Sequence, residues 1–415
     1  MRLHCLFRFG CGIHLLIILF RLHPCAATSS SLVGINYGRV GNNLPAPSAT
    51  LPLLASIGVG RIRLYDADPS VLHAFANTGI ELIVGLPDRC VPVVSDPNEA
   101  LSWVQDNIKP FVPATKIAAL TVGNEVLTSN NTALAHSLLP AMESLHSALV
   151  TLGLDHQIVV TTAHSLAILS TSYPPSSAVF RRDLVPYLCP IIAFHAKTNS
   201  PFLVNAYTYF AYADDPSGVD IAYALLESNP GVTDPVTGLR YANLLLAQVD
   251  AVYHAITAAA GESAKAVEVR VSETGWPSAG DPNETGATPA NAAKYNRNVM
   301  KLVAQGKGTP LRPGLPVRAY VFALFNENLK PGPTSERNYG LFKPDGTPAY
   351  PLGITVPPEN STTTGGGGGG GSGGGGDDIS GGSDGFYSIS AAPAEWTRRM
   401  MAGALAVFGV LTQFV

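Results

Sequence analysis

Two glutamates stand at the ends of apolar stretches that are typical of buried strands. Glu273 follows the alternating run VRVS (269–272) and precedes a Gly-Trp-Pro turn. Glu125 follows the apolar run AALTV (118–122) and a Gly-Asn pair. A lone glutamate in such a setting is usually a surface loop residue. Two in the same setting indicate a pair of carboxylates, which can serve as proton donor and nucleophile.

The strands that would position these glutamates belong to a repeating pattern. Strand-like runs alternate with stretches long enough for one helix each, which predicts an α/β fold of the (β/α)8 TIM-barrel type. Glu125 ends the fourth run and Glu273 the seventh, so both would face the same end of the barrel. A small insertion, residues 211–245, is predicted between strands six and seven. The predicted runs are 32–38, 59–66, 80–87, 116–125, 157–165, 201–209, 267–275 and 317–328.

The chain resembles plant glycoside hydrolase family 17, the endo-hydrolases of β-1,3-glucan. The resemblance covers residues 32–352 and implies a retaining enzyme with Glu273 as nucleophile and Glu125 as acid and then base. Without it, the sequence does not say which glutamate has which role. The segments that carry the resemblance are GNE (123–125), ETGWPS (273–278), GINYGRVGNNLP (34–45), IRLYDAD (62–68), LVNAYTYFAY (203–212) and FALFNENLKPGPTSERNYGLFKPDGTPAY (322–350).

Further polar residues are candidates for the cleft. Asn124, beside Glu125, is placed to hydrogen-bond a sugar 2-hydroxyl, although a simple turn residue is the alternative. The resemblance implies that Glu327, Lys330 and Glu336 line the cleft and support the catalytic pair. The alternative for these three residues is a solvated loop with charge pairs, which individually contribute little.

Aromatic side chains at predicted strand ends could stack on sugar rings, which present apolar faces. Core packing is the alternative for any one of them. Position 208 is threonine, where the family usually has proline, and this change affects subsite shape at most. The candidates for sugar stacking are Tyr37, Tyr207, Trp276 and Phe325.

Composition and motifs exclude several other classes of protein. The net charge is −4 with only 13% charged residues, so no basic surface for nucleic acid is expected. No histidine spacing fits a metal site and no nucleotide-binding fingerprint occurs, so we expect neither metal nor cofactor. His164 and His195 are predicted to be structural. Cys90 and Cys189 could pair or remain buried thiols. We expect a monomer.

The chain ends carry targeting signals. Residues 1–27 are typical of a secretory signal peptide, 28–355 of the barrel domain, and 356–390 of a Ser/Thr/Gly-rich linker. Residues 391–415 resemble a glycosylphosphatidylinositol (GPI) attachment signal, with Ser390 or Ser383 accepting the lipid. A tail-anchored helix is the alternative. The expected location is therefore the outer face of the plasma membrane, facing the cell wall. Sequons at Asn130, Asn283 and Asn360 predict N-glycosylation.

Two other functions remain open at this stage. A β-1,3-glucan transglucosylase would pass the sugar from Glu273 to another sugar instead of to water. A surface protein that binds wall glucan with little turnover is the second, and it belongs to a different class. The presence of both Glu125 and Glu273 argues against the second.

Overall fold

The computed structural model describes residues 33–353. Eight parallel strands form a closed barrel, in which β8 pairs with β1 through Ala319 and Val33. The predicted TIM barrel is therefore confirmed, with each strand inside its predicted run. The strands are β1 (Val33–Asn36), β2 (Arg61–Arg63), β3 (Glu81–Leu86), β4 (Lys116–Asn124), β5 (Val159–Ser165), β6 (Phe202–Asn205), β7 (Val269–Thr274) and β8 (Ala319–Val321).

Helices follow the strands and form the outer layer. In α5, Asn131 caps the N-terminus by accepting the Leu134 N–H at 3.0 Å, while Leu138, Leu145 and Leu149 are fully buried. The main hydrophobic core lies between this layer and the barrel. The helices are α1 (Thr50–Ser56), α2 (Pro69–Ala74), α3 (Val91–Val94), α4 (Pro97–Asn107), α5 (Thr132–Thr151), α6 (Val185–Thr198), α7 (Thr208–Asp214), α8 (Ile221–Ala224), α9 (Leu244–Ala260) and α10 (Pro289–Ala304).

The two strands that carry the glutamates both deviate from regular pairing. On β7, Val271 and Glu273 pair with consecutive residues of β6, so β7 holds one extra residue between them. On β4, Thr121 and Asn124 pair with residues of β5 that are two apart, again leaving one extra residue, just before Glu125. Bulges of this kind bend a strand and redirect its side chains, and they are frequent beside active sites.

The predicted insertion between β6 and β7 is present. It contains α7, α8 and a two-stranded hairpin (Val232–Thr233 with Arg240–Tyr241). A second hairpin, which the sequence did not reveal, joins Leu169–Thr171 to Val179–Phe180 after β5. Asp234 connects the two regions by accepting the N–H and the hydroxyl of Ser176, each at 2.8 Å.

Several predictions lie outside the described residues: the signal peptide, the linker, the GPI signal, Asn360, Ser383 and Ser390. Within residues 33–353, no helix is long and apolar enough to cross a bilayer. Cys90 and Cys189 are free thiols. Asn130 and Asn283 are exposed.

Candidate active site

Glu273 is the most tightly held side chain of the site. It lies on β7 with 1% of its surface exposed. Its Oε1 accepts hydrogen bonds from Arg63 Nη1 at 2.6 Å and from the Tyr65 hydroxyl at 2.7 Å. Its Oε2 accepts one from the Tyr207 hydroxyl at 2.8 Å. These donors fix the carboxylate in one orientation, and the guanidinium charge offsets the cost of burying it.

Arg63 is the main functional residue that the sequence did not assign. It lies on β2 with 1% of its surface exposed. Nη1 donates to Glu273, and Nη2 donates to Asn124 Oδ1 at 2.7 Å. Its guanidinium also lies over the Tyr65 ring at 4.8 Å. The available signal was an arginine inside the otherwise buried run IRLYD, since arginine is almost never fully buried without a partner.

Glu125 occupies a strained turn at the end of β4. Its own φ is 57° and that of Gly123 is 63°, both in the left-handed region. A Cβ at position 123 would lie 2.5 Å from Val126, so only glycine fits there. Asp88 supports the turn by accepting the Asn124 N–H at 2.9 Å. A strained residue is often kept where its side chain must point in one direction.

Asn205 links the two glutamates. Its Nδ2 donates to Glu125 Oε1 at 2.9 Å and to Asn124 Oδ1 at 3.2 Å, and its own Oδ1 accepts from Ser272 at 2.7 Å. Because Asn124 Oδ1 also accepts from Arg63, one continuous chain of hydrogen bonds runs from Glu125 to Glu273. The structure therefore brings together the two carboxylates predicted from sequence. Asn205, on β6, was not predicted.

The pKa of Glu125 is raised to about 8, first by burial and then by the negative charge of Glu273. Activity that requires a protonated Glu125 should therefore fall as the pH rises through about 8, with kcat/KM dropping tenfold per pH unit beyond it. This decrease at high pH, the basic limb of the pH–rate profile, is measured from kcat/KM at a series of pH values. Glu125→Gln should lack it. A basic limb centred near pH 5 in the wild type would contradict this prediction.

Glu327, Lys330 and Glu336 form a buried cluster, with 2%, 7% and 6% exposure. Lys330 Nζ lies 3.5 Å from Glu336 Oε2 and 4.1 Å from the centre of the Phe322 ring. Glu327 Oε1 accepts the Val40 N–H at 2.7 Å. Burial raises the pKa of Glu327, and the Lys330 charge opposes that shift. Since these side chains are buried, the alternative of a solvated loop does not hold.

The aromatic candidates separate into two groups. Tyr207 bonds directly to Glu273. Tyr37 and Phe325, whose rings meet edge to face at 6.1 Å, are 2% and 1% exposed and pack in the main core, which differs from the prediction of sugar-stacking rings. Trp276 differs from the prediction of a sugar-stacking ring. It is fully buried and its Nε1 donates to Gly286 O at 2.8 Å, so it packs behind the site. Within the core, the indole ring is removed from water and its N–H still has a hydrogen-bond partner. Sequence spacing could not reveal this arrangement.

The histidines predicted to be structural are buried. His195 Nδ1 lies 2.8 Å from the Ser200 hydroxyl, and His164 stacks on Phe202 at 4.6 Å. Burial lowers the pKa of both to about 3, so both are neutral.

Thr208, at the position where the resemblance implies proline, donates its hydroxyl to Ala224 O at 2.8 Å. Within residues 33–353, no group of three or more His, Cys, Asp or Glu side chains could hold a metal ion.

A (β/α)8 barrel whose fourth and seventh strands each end at a glutamate, with both glutamates in one hydrogen-bonded network, has the architecture of a glycoside hydrolase. Comparison with known proteins agrees: the model of the glycosyl hydrolases family 17 matches residues 33–354. The chain belongs to this family.

Individual relatives are similar over most of their length. The chain is 57% identical over 325 residues to glucan endo-1,3-beta-glucosidase 10 of Arabidopsis thaliana, covering 78% of this chain and 76% of the relative. It is 54% identical over 331 residues to glucan endo-1,3-beta-glucosidase 11 of the same plant, covering 79% and 77%. The structure of CJP38, a β-1,3-glucanase and allergen of Cryptomeria japonica pollen, matches with a TM-score of 0.73 and 39% identity, covering 78% of this chain and 99% of CJP38.

Proposed function

We propose that this glycoside hydrolase cleaves internal linkages of β-1,3-glucan by double displacement, with retention at the anomeric carbon. The observation that carries the proposal is the pairing of Glu273, which accepts hydrogen bonds from three donors, with Glu125, whose raised pKa keeps it protonated near neutral pH. The names of the relatives, glucan endo-1,3-beta-glucosidases, support the choice of substrate.

In the first step, Glu273 attacks the anomeric carbon while Glu125 gives its proton to the departing glycosidic oxygen. The glycosyl ester that forms has no charge on Glu273. Since that charge helps to raise the pKa of Glu125, ester formation lowers this pKa and lets Glu125 act as the base. In the second step, Glu125 takes a proton from water, the hydroxide attacks the anomeric carbon, and Glu273 departs as a carboxylate.

The surrounding side chains would bind the glucan. Asn124 lies beside Glu125, where it could meet the 2-hydroxyl of the reacting sugar. Tyr207, next to Glu273, offers a ring for the apolar face of a sugar, and the buried cluster offers charged groups for sugar hydroxyls. The residues proposed to contact substrate are Asn124, Tyr207, Glu327, Lys330 and Glu336.

Incubation of the purified protein with laminarin tests the function. Hydrolysis releases reducing ends, and short laminari-oligosaccharides appear early if cleavage is internal. Longer products formed at high oligosaccharide concentration would instead favour the transglucosylase. Binding of laminarin without any product would favour the glucan-binding protein. The complete hydrogen-bonded setting of both glutamates supports turnover over binding alone.

We also propose that the mature protein is a monomer, glycosylated and anchored to the outer face of the plasma membrane through GPI at Ser390 or Ser383. The exposure of Asn130 and Asn283 is compatible with glycans there. Phosphatidylinositol-specific phospholipase C should release the active protein from membranes of expressing cells. A matched variant truncated before residue 391 should appear in the medium without treatment. Retention of the full chain on membranes after phospholipase would contradict the lipid anchor.

A further inference from the structure

Two carboxylates on the loop after β7 reach across to the loop after β8. Asp281 accepts both the N–H of Thr334, at 3.0 Å, and its hydroxyl, at 2.5 Å. Glu284 accepts the N–H of Ser335 at 3.0 Å and its hydroxyl. We call these four residues the carboxylate clasp. Each carboxylate accepts two hydrogen bonds from one residue, and the two donor residues, Thr334 and Ser335, are consecutive in the chain.

Further hydrogen bonds, one within the clasp and two next to it, support this arrangement. Glu284 Oε2 also accepts the Asp281 N–H at 2.7 Å, which ties the two carboxylate-bearing residues to each other. Ser278, on the same loop, donates its N–H and its hydroxyl to Asn338 O at 2.8 and 3.0 Å. The Thr334 hydroxyl lowers the pKa of Asp281, so that carboxylate stays charged in mildly acidic solution. The two loops are therefore joined at both ends of the short helical turn Thr334–Arg337.

This turn carries Glu336, the residue directly after Ser335 in the clasp. Ser335 is 1% exposed and Glu336 is 6% exposed, so neither can move without disturbing its neighbours. Glu336 in turn holds Lys330 at 3.5 Å, and its negative charge acts on Glu125. Adjacent residues thus connect the loop after β7 to Glu336 and Lys330, and the charge of Glu336 acts on the proton donor through space.

We propose that Asp281 and Glu284 are positioning residues for catalysis, which hold Glu336 and Lys330 at the cleft. The inference rests on the proposed function, because it gives these two loops a role in that reaction. Another carboxylate makes a similar contact that does not involve the loops after β7 and β8. Asp234, which accepts the N–H and hydroxyl of Ser176, is such a contact and serves as a matched control.

The test compares Glu284→Gln and Asp281→Asn with Asp234→Asn in the full-length protein. Each change replaces one carboxylate oxygen by an NH2 group that cannot accept the donated hydrogen bond. We expect kcat on laminarin to fall about tenfold in the clasp variants, with KM changed less than about threefold, because misplacement of supporting groups slows the chemical step. Asp234→Asn should lower the melting temperature and leave kcat unchanged.

The pH profile separates positioning from simple loss of stability. Four side chains act on Glu125: Glu273 and Glu336 raise its pKa, whereas Asn205 and Arg63 lower it. Withdrawal of Glu336 should therefore move the basic limb of kcat/KM to lower pH in Glu284→Gln, but not in Asp234→Asn. If Glu284→Gln does not fold, Ser335→Ala removes only the hydroxyl bond and should shift the limb in the same direction.

Carboxyl-carbon NMR of glutamate-labelled protein, with Glu125 assigned through Glu125→Gln, gives the pKa of Glu125 without any assay of turnover. An inactive wild type would overturn the proposed function, yet the clasp would still be tested by this titration. A Glu125 pKa that is the same in the wild type and in folded Glu284→Gln would overturn the clasp, and so would a kcat of Glu284→Gln equal to that of Asp234→Asn.

Discussion

Glu273→Ala should reduce laminarin hydrolysis by about 10⁵-fold, because the variant lacks the carboxylate that forms the glycosyl ester. Reducing-sugar release by purified protein measures this loss. Among the described side chains that touch Glu273, the partners are an arginine and two tyrosines, all hydrogen-bond donors in the site. Replacement of Glu273 by alanine therefore leaves no nucleophile at the position of the carboxylate. Residual turnover within about 100-fold of the wild type would remove the nucleophile assignment.

The alanine variant also has a structural cost, because Arg63 is 1% exposed and would lose its charged partner. Unpairing one member of a buried ion pair destabilises a protein by about 3–5 kcal/mol. Glu273→Gln is the matched control, since its side-chain oxygen can still accept a hydrogen bond from Arg63 or Tyr65. Thermal denaturation should place Glu273→Gln above Glu273→Ala, while both lack activity. This pair of variants distinguishes lost chemistry from lost folding.

Glu125→Ala should slow the hydrolysis of laminarin by about 10³-fold, because the leaving oxygen receives no proton. Aryl β-glucosides with acidic phenol leaving groups need no such proton, so their first step should be spared. Azide should then accelerate turnover of these substrates, because it attacks the glycosyl ester without help from a base and fits where the carboxylate was. The product should be the β-glycosyl azide, which NMR identifies.

The same experiment on Glu273→Ala tests the division of roles. In Glu273→Ala no glycosyl ester forms, so azide can only attack the anomeric carbon of the substrate itself. This single displacement would give the α-glycosyl azide. Formation of the β-azide by Glu273→Ala, or of the α-azide by Glu125→Ala, would mean that the two roles are exchanged. Glu125→Gln keeps an acceptor for Asn205, which donates to Glu125 at 2.9 Å, and controls for disturbance of the hydrogen-bonded network.

The barrel and its two glutamates could be predicted from the amino-acid sequence alone. In a parallel barrel both faces of each strand are buried, so strands appear as nearly continuous apolar runs, and the residue that ends a run can be identified without a structure. Glu125 and Glu273 were found in this way, and the (β/α)8 order then placed them at the same end of the cavity. The family resemblance added Glu327, Lys330 and Glu336, all of which the structure buries together.

The groups that surround the glutamates are defined by tertiary contacts and could not be predicted from the sequence. Arg63, Asn205 and the carboxylate clasp make contacts between residues far apart in sequence, and neither periodicity nor spacing encodes such partners. The extra residues on β4 and β7 that redirect the glutamates are likewise visible only as shifts in strand register. The prediction that Trp276 stacks on sugar was wrong for the same reason. Its position next to a strand end was correct, but whether its ring faces the cleft or the core depends on neighbours contributed by the helices α7 and α10.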